Sequence, residues 1–236
     1  MLKEIFAERK RVLEIASGTG QHALYFGREL PHLIWQTSEL AQHHESIQAW
    51  VDEAHLPNVL PPLSADVNLY SPCSWHGDNA LCGFDFKRSA PILVFCAVIP
   101  RGLAAGIGTG RAEQFIDARW AVEPVDAIFN ANTVHIISWP EVKLLFAHID
   151  RIIAPGRCVC FYGPYNYGGL FTSESNARFD TWLKSRDPNS GVRDVEAVNR
   201  LAASHGLALL RDIPMPSNNR LFVWRAKENK CPNGHE

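Results

Sequence analysis

The sequence predicts an α/β fold built on a doubly wound, mostly parallel sheet of seven strands that ends in an antiparallel hairpin. Three observations carry that expectation. Short β-type runs alternate with amphipathic helical stretches along the chain, the order that lays helices on both faces of a parallel sheet. The first run, Val12-Leu13-Glu14-Ile15, passes directly into the glycine-rich turn Ala16-Ser17-Gly18-Thr19-Gly20 and then into a helix. The last two runs follow each other across a Pro-rich turn with no helix between them, which suits an antiparallel pair.

The elements follow in order. A first strand covers about 11–16 and a helix runs from Gly20 to Leu30. The run 33–38 is a second strand ending at Glu39, and 40–55 has helical composition up to Pro57. A short third strand at 58–65 leads into Asp66. Strand composition returns at 125–130, then Ser138-Trp139-Pro140-Glu141 gives a capping box, a serine answered by a glutamate three residues on. The helix it opens puts Val142, Leu145, Phe146, Ile149 and Ile153 on one face and stops at Pro155-Gly156. Residues 157–162 form the next strand. Asp194 caps a further amphipathic helix bearing Val195, Val198, Leu201, Ala202 and His205, which ends at Gly206. The strands 207–213 and 221–226 close the chain around Pro214, Pro216, Asn218 and Asn219.

One stretch breaks this rhythm. Between Asp66 and Val125 the chain is far longer than an ordinary βαβ crossover requires. Its glycine-rich middle, about 76–119, reads as an atypical insertion peripheral to the sheet, whose only strong element is the apolar run 92–99 between Pro91 and Pro100. Residues 1–236 are otherwise expected to form a single domain, with a short tail at about 228–236.

Composition narrows the possibilities further. With 236 residues and 46% hydrophobic content the chain can bury one sizeable core, which excludes a disordered or fibrous class. Net charge is -2, and Lys and Arg are scattered, so neither nucleic acid nor an anionic membrane is indicated as a partner. No apolar stretch reaches the length of a membrane span and the first eleven residues lack a signal-peptide core, which makes the cytoplasm the expected compartment. The six cysteines form no C-x-x-C pair, so reduced thiols are expected and no metal site. His43-His44-Glu45 reads as a solvated helix face.

The turn after the first strand carries the chemistry. Glycines let the backbone turn sharply and approach a ligand closely, and a helix that follows offers unpaired N–H groups. Glu14 stands four residues before Gly18, where a carboxylate suits a cationic ligand better than a pyrophosphate. The pattern E-x-x-x-G-x-G is similar to motif I of class I S-adenosylmethionine (SAM) dependent methyltransferases, which have a Rossmann-like sheet with a terminal antiparallel hairpin. More of the chain adds to that likeness. The runs 11–23 and 128–139, Tyr162-Gly163-Pro164-Tyr165, Ser173-Glu174-Ser175-Asn176 and Asn218-Asn219 together resemble the uncharacterised methyltransferase-like twenty-six family, long described as a domain of unknown function. The resemblance spans about 11–75 and 121–227. Relative to that family only about ten residues precede the first strand, and the block at 76–119 stands outside the pattern.

Ligands of doubly wound sheets sit at the carboxyl ends of the strands, around the point where strand order reverses. With SAM as the implied cofactor, Gly18 and Gly20 let the first loop approach its methionine part, and Glu14 orders that loop or answers the ammonium group. Glu39 is placed for the ribose hydroxyls, Asp66 for the adenine amino group, and Asn130 for the methionine end. Each acidic residue is otherwise an ordinary cap or turn residue, and Ala16 and Ser17 read as turn packing. Methyl transfer is an in-line displacement whose main demand is positioning, with a base only where the nucleophile must lose a proton. Asn132, His135 and Tyr165, just past the fourth and fifth strands, are the catalytic candidates facing a small-molecule or protein acceptor. His135 suits a base near neutral pH, and suits better packing in a helix's first turn with a hydrogen bond to a carbonyl. Asn130-Ala131-Asn132-Thr133 departs from the Asn-Pro-Pro-aromatic signature of many amide and amine methyltransferases. Tyr165, Tyr167 and Phe171 around Gly168-Gly169 suit an adaptable substrate wall. Two other readings stay open: a non-catalytic SAM-fold interaction module, and an NAD-dependent oxidoreductase, the latter disfavoured by the terminal hairpin and by Ala23 where a third glycine would stand.

Overall fold

The computed structural model describes residues 1–64 and 125–228. Asp66, the block at 76–119 and the tail beyond 228 lie outside the described residues. A short helix α1 (Leu2–Ile5) precedes β1 (Arg11–Ile15), α2 (Gln21–Glu29), β2 (Ile34–Glu39), α3 (His44–Ala54) and β3 (Val59–Ser64). After the gap come β4 (Val125–Ala131), α4 (Trp139–Ile152), β5 (Ile153–Asn166), α5 (Glu174–Arg186), the two-residue β6 (Arg193–Asp194), α6 (Val195–Ser204), β7 (Leu207–Met215) and β8 (Asn219–Ala226).

Among the described residues the strand order is β3-β2-β1-β4-β5-β8-β7, with β6 attached there only to the end of β5, an eighth strand beside the seven expected. The first five are parallel, whereas β8 runs antiparallel to β5 and β7 antiparallel to β8. Order reverses between β1 and β4. The parallel strands are buried on both faces, which is why β1 and β4 read as nearly continuous apolar runs and not as alternation. Pro61 and Pro62 are tolerated because β3 is, among the described residues, an edge strand with an irregular register against β2.

Two apolar layers sandwich the sheet. Leu13, Ile15, Ile128 and Phe161 face α4 and α6, where Val142, Leu145, Phe146, Ile149, Val198 and Ala202 answer them. Val12, Trp35, Ala127 and Phe129 face α2 and α3, meeting Ala23, Leu24, Ile47 and Val51. Phe146, Phe161 and Trp224 pack with ring centroids 5.4–6.2 Å apart, and Trp224 donates its indole N–H to Asn199. Truncating Phe146 to alanine in such a cluster costs about 3–5 kcal/mol.

The capping box at Ser138 and Glu141 forms in both directions. Two local expectations change, and one further element emerges. Ile153 is not on the α4 face: it opens β5, because the extended conformation it takes before Ala154-Pro155 ends the helix. Asp194 stands at the N-cap of α6, but its carboxylate accepts from Gly169 N–H at 3.0 Å and leaves the helix uncapped by a side chain. The segment after Ser173, which carries no apolar periodicity, is helix α5. Among the described residues no helix is long and apolar enough to cross a membrane, and no three His, Cys, Asp or Glu side chains are grouped to hold a metal. Cys158 and Cys160 are buried free thiols.

Candidate functional site at the strand carboxyl ends

The loop between β1 and α2 is shaped by three left-handed residues at alternate positions: Ala16 (φ 57°), Gly18 (φ 59°) and Gly20 (φ 86°). Gly18 and Gly20 meet the expectation for glycine at such angles. Ala16 does not, since an L side chain costs roughly 1–2 kcal/mol in this region. A Cβ on Gly20 would lie 3.3 Å from the Ile47 Cγ2, so α3 packs directly against this turn. No side chain caps the first turn of α2.

Glu39 ends β2 beside that loop. One carboxylate oxygen accepts from Gly18 N–H at 2.8 Å and the other from Leu40 N–H at 2.9 Å. Beneath them, Ser38 Oγ donates to the Glu14 carbonyl at 2.6 Å, and Ser17 Oγ accepts from Ser38 N–H at 3.1 Å. Ser17 N–H in turn donates to the Ser38 carbonyl at 2.9 Å. The loop is thus fixed before any ligand arrives.

Glu14 itself points elsewhere. Its carboxylate is 1% exposed and sits beside Trp35 and His22, whose rings pack with Phe26 and Phe129. Trp35 Nε1–H donates to it at 3.0 Å, and His22 Nδ1 lies 3.8 Å away. Burial raises the carboxyl to about pKa 7, an effect the Trp35 hydrogen bond only partly offsets. Its carboxylate thus meets Trp35 and His22, while its backbone carbonyl accepts from Ser38 Oγ beside the loop.

Across the switch point, Asn130 ties β4 to β1. Its Nδ2 donates to the Ile15 carbonyl at 2.8 Å and to Thr133 Oγ1 at 2.7 Å, while its Oδ1 is buried with no partner. Asn132 follows in a left-handed conformation (φ 58°), with its N–H on the Tyr162 carbonyl at 2.8 Å. A Cβ on Gly163 would lie 3.4 Å from Asn132 Oδ1 and 3.5 Å from the His135 ring. Glycine in β5 therefore lets Asn132 and His135 sit together against the strand.

His135 is fully buried, edge-on to Phe179 of α5 at 5.3 Å, and neither ring nitrogen has a hydrogen-bond partner. Burial, reinforced by the nearby Arg193 charge, lowers its pKa to about 3 and keeps the imidazole neutral. Its expected carbonyl partner is not formed. Tyr165 is also fully buried, edge-on to Phe222 at 4.6 Å with its hydroxyl unpartnered, and burial raises its pKa.

The sequence reading missed two groups here. Asn219 Nδ2 donates to the Tyr162 hydroxyl at 3.0 Å, linking the terminal hairpin to the end of β5. The hairpin tip, with Ser217 and Asn218 both at positive φ, receives Asn176 Nδ2 of α5 on the Asn218 carbonyl at 3.1 Å. Both contacts span more than forty residues. Only the motif runs containing these residues hinted at them.

The whole arrangement has relatives among solved structures. The chain superposes on an O-methyltransferase family protein from Burkholderia thailandensis with TM-score 0.66 at 13% identity, covering 96% of this chain and 53% of that one. An O-methyltransferase family 2 protein from Planctomyces limnophilus, in complex with apigenin, gives 0.62 at 13%, covering 92% and 50%. PigF with SAH gives 0.63 at 12%, covering 93% and 51%. The chain spans about half the length of these structures. At such identities the likeness establishes the fold alone, a Rossmann-like, mostly parallel sheet with a terminal antiparallel pair. The sequence itself matches the profile of one family over residues 1–96 and 104–226, so the chain belongs to the family described as Protein of unknown function (DUF938).

Proposed function

We propose that this protein is a SAM-dependent methyltransferase acting on a small-molecule or protein acceptor. The observation that carries the reading is the pre-formed turn Ala16–Gly20 held by the Glu39 carboxylate through Gly18 N–H, at the β1/β4 switch point. The motif resemblance to the methyltransferase-like twenty-six family supports the same reading.

The donor set suits SAM. Each Glu39 oxygen uses one lone pair on a backbone N–H, leaving the other for a ribose hydroxyl. Asn130 Oδ1, buried without a partner, is an acceptor suited to the ammonium of the methionine end. Gly18 and Gly20 supply the left-handed backbone angles that shape the loop, with Gly20 packed on Ile47, and Glu14 supports it from below. Asp66 takes the adenine amino group in this proposal. Bound SAM supplies a methyl group made electrophilic by a positive sulfur.

This chain's residues then have to exclude water and hold the acceptor in line. Asn132, His135 and Tyr165 make up the acceptor side. A neutral His135 offers a ring nitrogen as a hydrogen-bond acceptor for the acceptor's nucleophile. Full burial of His135 and Tyr165 means an acceptor reaches them only when Phe179 or its neighbours move aside.

The test is transfer of label from methyl-labelled SAM into a cell extract by the purified chain. Labelled product that requires the protein and disappears in Gly18→Val supports the proposal. SAH binding without any transfer would make the chain a SAM-binding module instead, and binding of NAD in place of SAH would overturn the cofactor.

A further inference from the structure

The loop from Thr133 to Ser138, which carries His135, is gripped from one side by a segment distant in sequence. Four successive carbonyls each meet a donor from residues 190–193. Val134 O accepts from Arg193 Nε at 3.0 Å and His135 O from Gly191 N–H at 2.9 Å. Ile136 O accepts from Ser190 Oγ, and Ile137 O from Arg193 Nη2 at 2.6 Å. The same Nη2 reaches Asn189 O at 2.8 Å, closing the segment on itself.

The grip is anchored at both ends. Asp180 of α5 accepts Val192 N–H at 2.8 Å with one oxygen and pairs with Lys184 Nζ at 2.7 Å with the other. A Cβ on Gly191 would lie 2.8 Å from that Asp180 oxygen, so only glycine allows the approach. On the other side Arg193 and Asp194 pair as β6 with Tyr165 and Asn166 of β5, and Asn166 Nδ2 donates to Val192 O at 3.3 Å. Asp180, Asp187 and Glu141 surround the Arg193 guanidinium electrostatically. A planar fork with fixed donors holds carbonyls in a fixed relation in a way a flexible ammonium cannot.

We infer that Arg193, with Ser190 and Gly191, is a positioning clamp that sets the 133–137 loop, and with it the seat of His135, for the acceptor side of the site. The inference rests on the proposed methyl transfer for its consequence in catalysis, but not for its effect on His135. Because the clamp lies on the β5 and α5 side, it acts on acceptor geometry and leaves the β1–β2 turn alone. A displacement of about 1 Å at a reacting centre costs up to roughly a hundredfold in rate.

The experiment uses the full chain with Arg193→Lys, and Ser190→Ala as the milder variant should the first fold poorly. Three readouts are taken: the His135 imidazole resonances between pH 5 and 8, assigned with His135→Gln, SAH affinity by calorimetry, and label transfer from SAM into extract per folded molecule. In the parent protein the His135 signal is expected to stay that of a neutral ring throughout. In Arg193→Lys it shifts or begins to titrate, transfer falls about tenfold or more, and SAH affinity stays within about twofold. Ser190→Ala moves the same readouts less. An unchanged His135 signal in both variants overturns the clamp, as does a loss of transfer matched by an equal loss of SAH binding. If the parent protein neither binds SAH nor transfers label, the methyltransferase reading fails, and the His135 signal alone still decides the clamp.

Discussion

The β1–β2 half and the β4–β5 half of the switch point are built on opposite plans. In the first, polar groups close on one another: Ser17, Ser38, the Glu14 backbone and carboxylate, Gly18 and Glu39 form a network with Trp35. In the second, the backbone is held by Arg193 and Ser190, while His135 Nδ1 and Nε2, Tyr165 OH, Asn130 Oδ1 and Asn166 Oδ1 are buried without partners. An unsatisfied buried polar group costs about 1–3 kcal/mol. A fold retains several of them where a ligand or a reaction makes use of them. The pairing teaches that one half is a closed, self-satisfied polar network and the other a stiff frame around unpartnered polar groups.

Breaking the closed half should have the largest effect. Gly20→Val puts a β-branched side chain at φ 86° and against Ile47, so SAH affinity should fall by roughly a hundredfold or more while the circular dichroism spectrum stays close to the parent's. Calorimetry on the folded variant checks this, and full binding would mean an ordinary turn. Glu39→Ala removes the anchor of Gly18 N–H and should weaken SAH by about 1–3 kcal/mol. A change within experimental error there would remove Glu39 from the site.

The two halves also respond oppositely to pH. Glu14 has a folded pKa raised from 4.5 to about 7, so the folded state binds the extra proton; its stabilisation is complete below pH 4.5 and is lost as pH rises through 7. His135, lowered from 6.5 to about 3, works the other way, since the unfolded chain takes up the proton and stability falls as pH drops below 6.5. Relative to Glu14→Gln, the parent protein should therefore lose about 3 kcal/mol of stability between pH 4.5 and 8. Denaturant titrations of both proteins across that range would show it, and parallel curves would place the Glu14 charge outside the core. The smallest effect is expected at Ala16→Gly, which relieves a left-handed alanine and should raise stability by about 0.5 kcal/mol after the entropy of the unfolded glycine is counted. A lower melting temperature would show that the Ala16 methyl is needed for packing.

What was legible in the sequence follows the same division. Local signals fix the first half and most of the frame: the strand-turn-helix at 12–20 is contiguous, α4 carries both a capping box and a clear apolar stripe, and the terminal hairpin needs only two strands and a turn. Helix α5 was illegible because two of its three buried residues, Asn176 and Asp180, are polar, so burial left no hydrophobic period to read. The clamp was illegible for a different reason: Arg193 meets Val134 across fifty-nine residues, and nothing local marks an arginine whose donors end on backbone carbonyls. His135 and Tyr165 were visible as residues past strand ends, but their complete burial depends on α5 and α6, which pattern alone cannot dock.

The most direct test of the two-plan account is a calorimetric titration of the parent protein and Glu39→Ala with SAH, with NAD as control. The account predicts one SAH site per chain, a clear loss of affinity in Glu39→Ala and no NAD binding. Absence of SAH binding to the folded parent protein, or equal affinity in the two proteins, would contradict it.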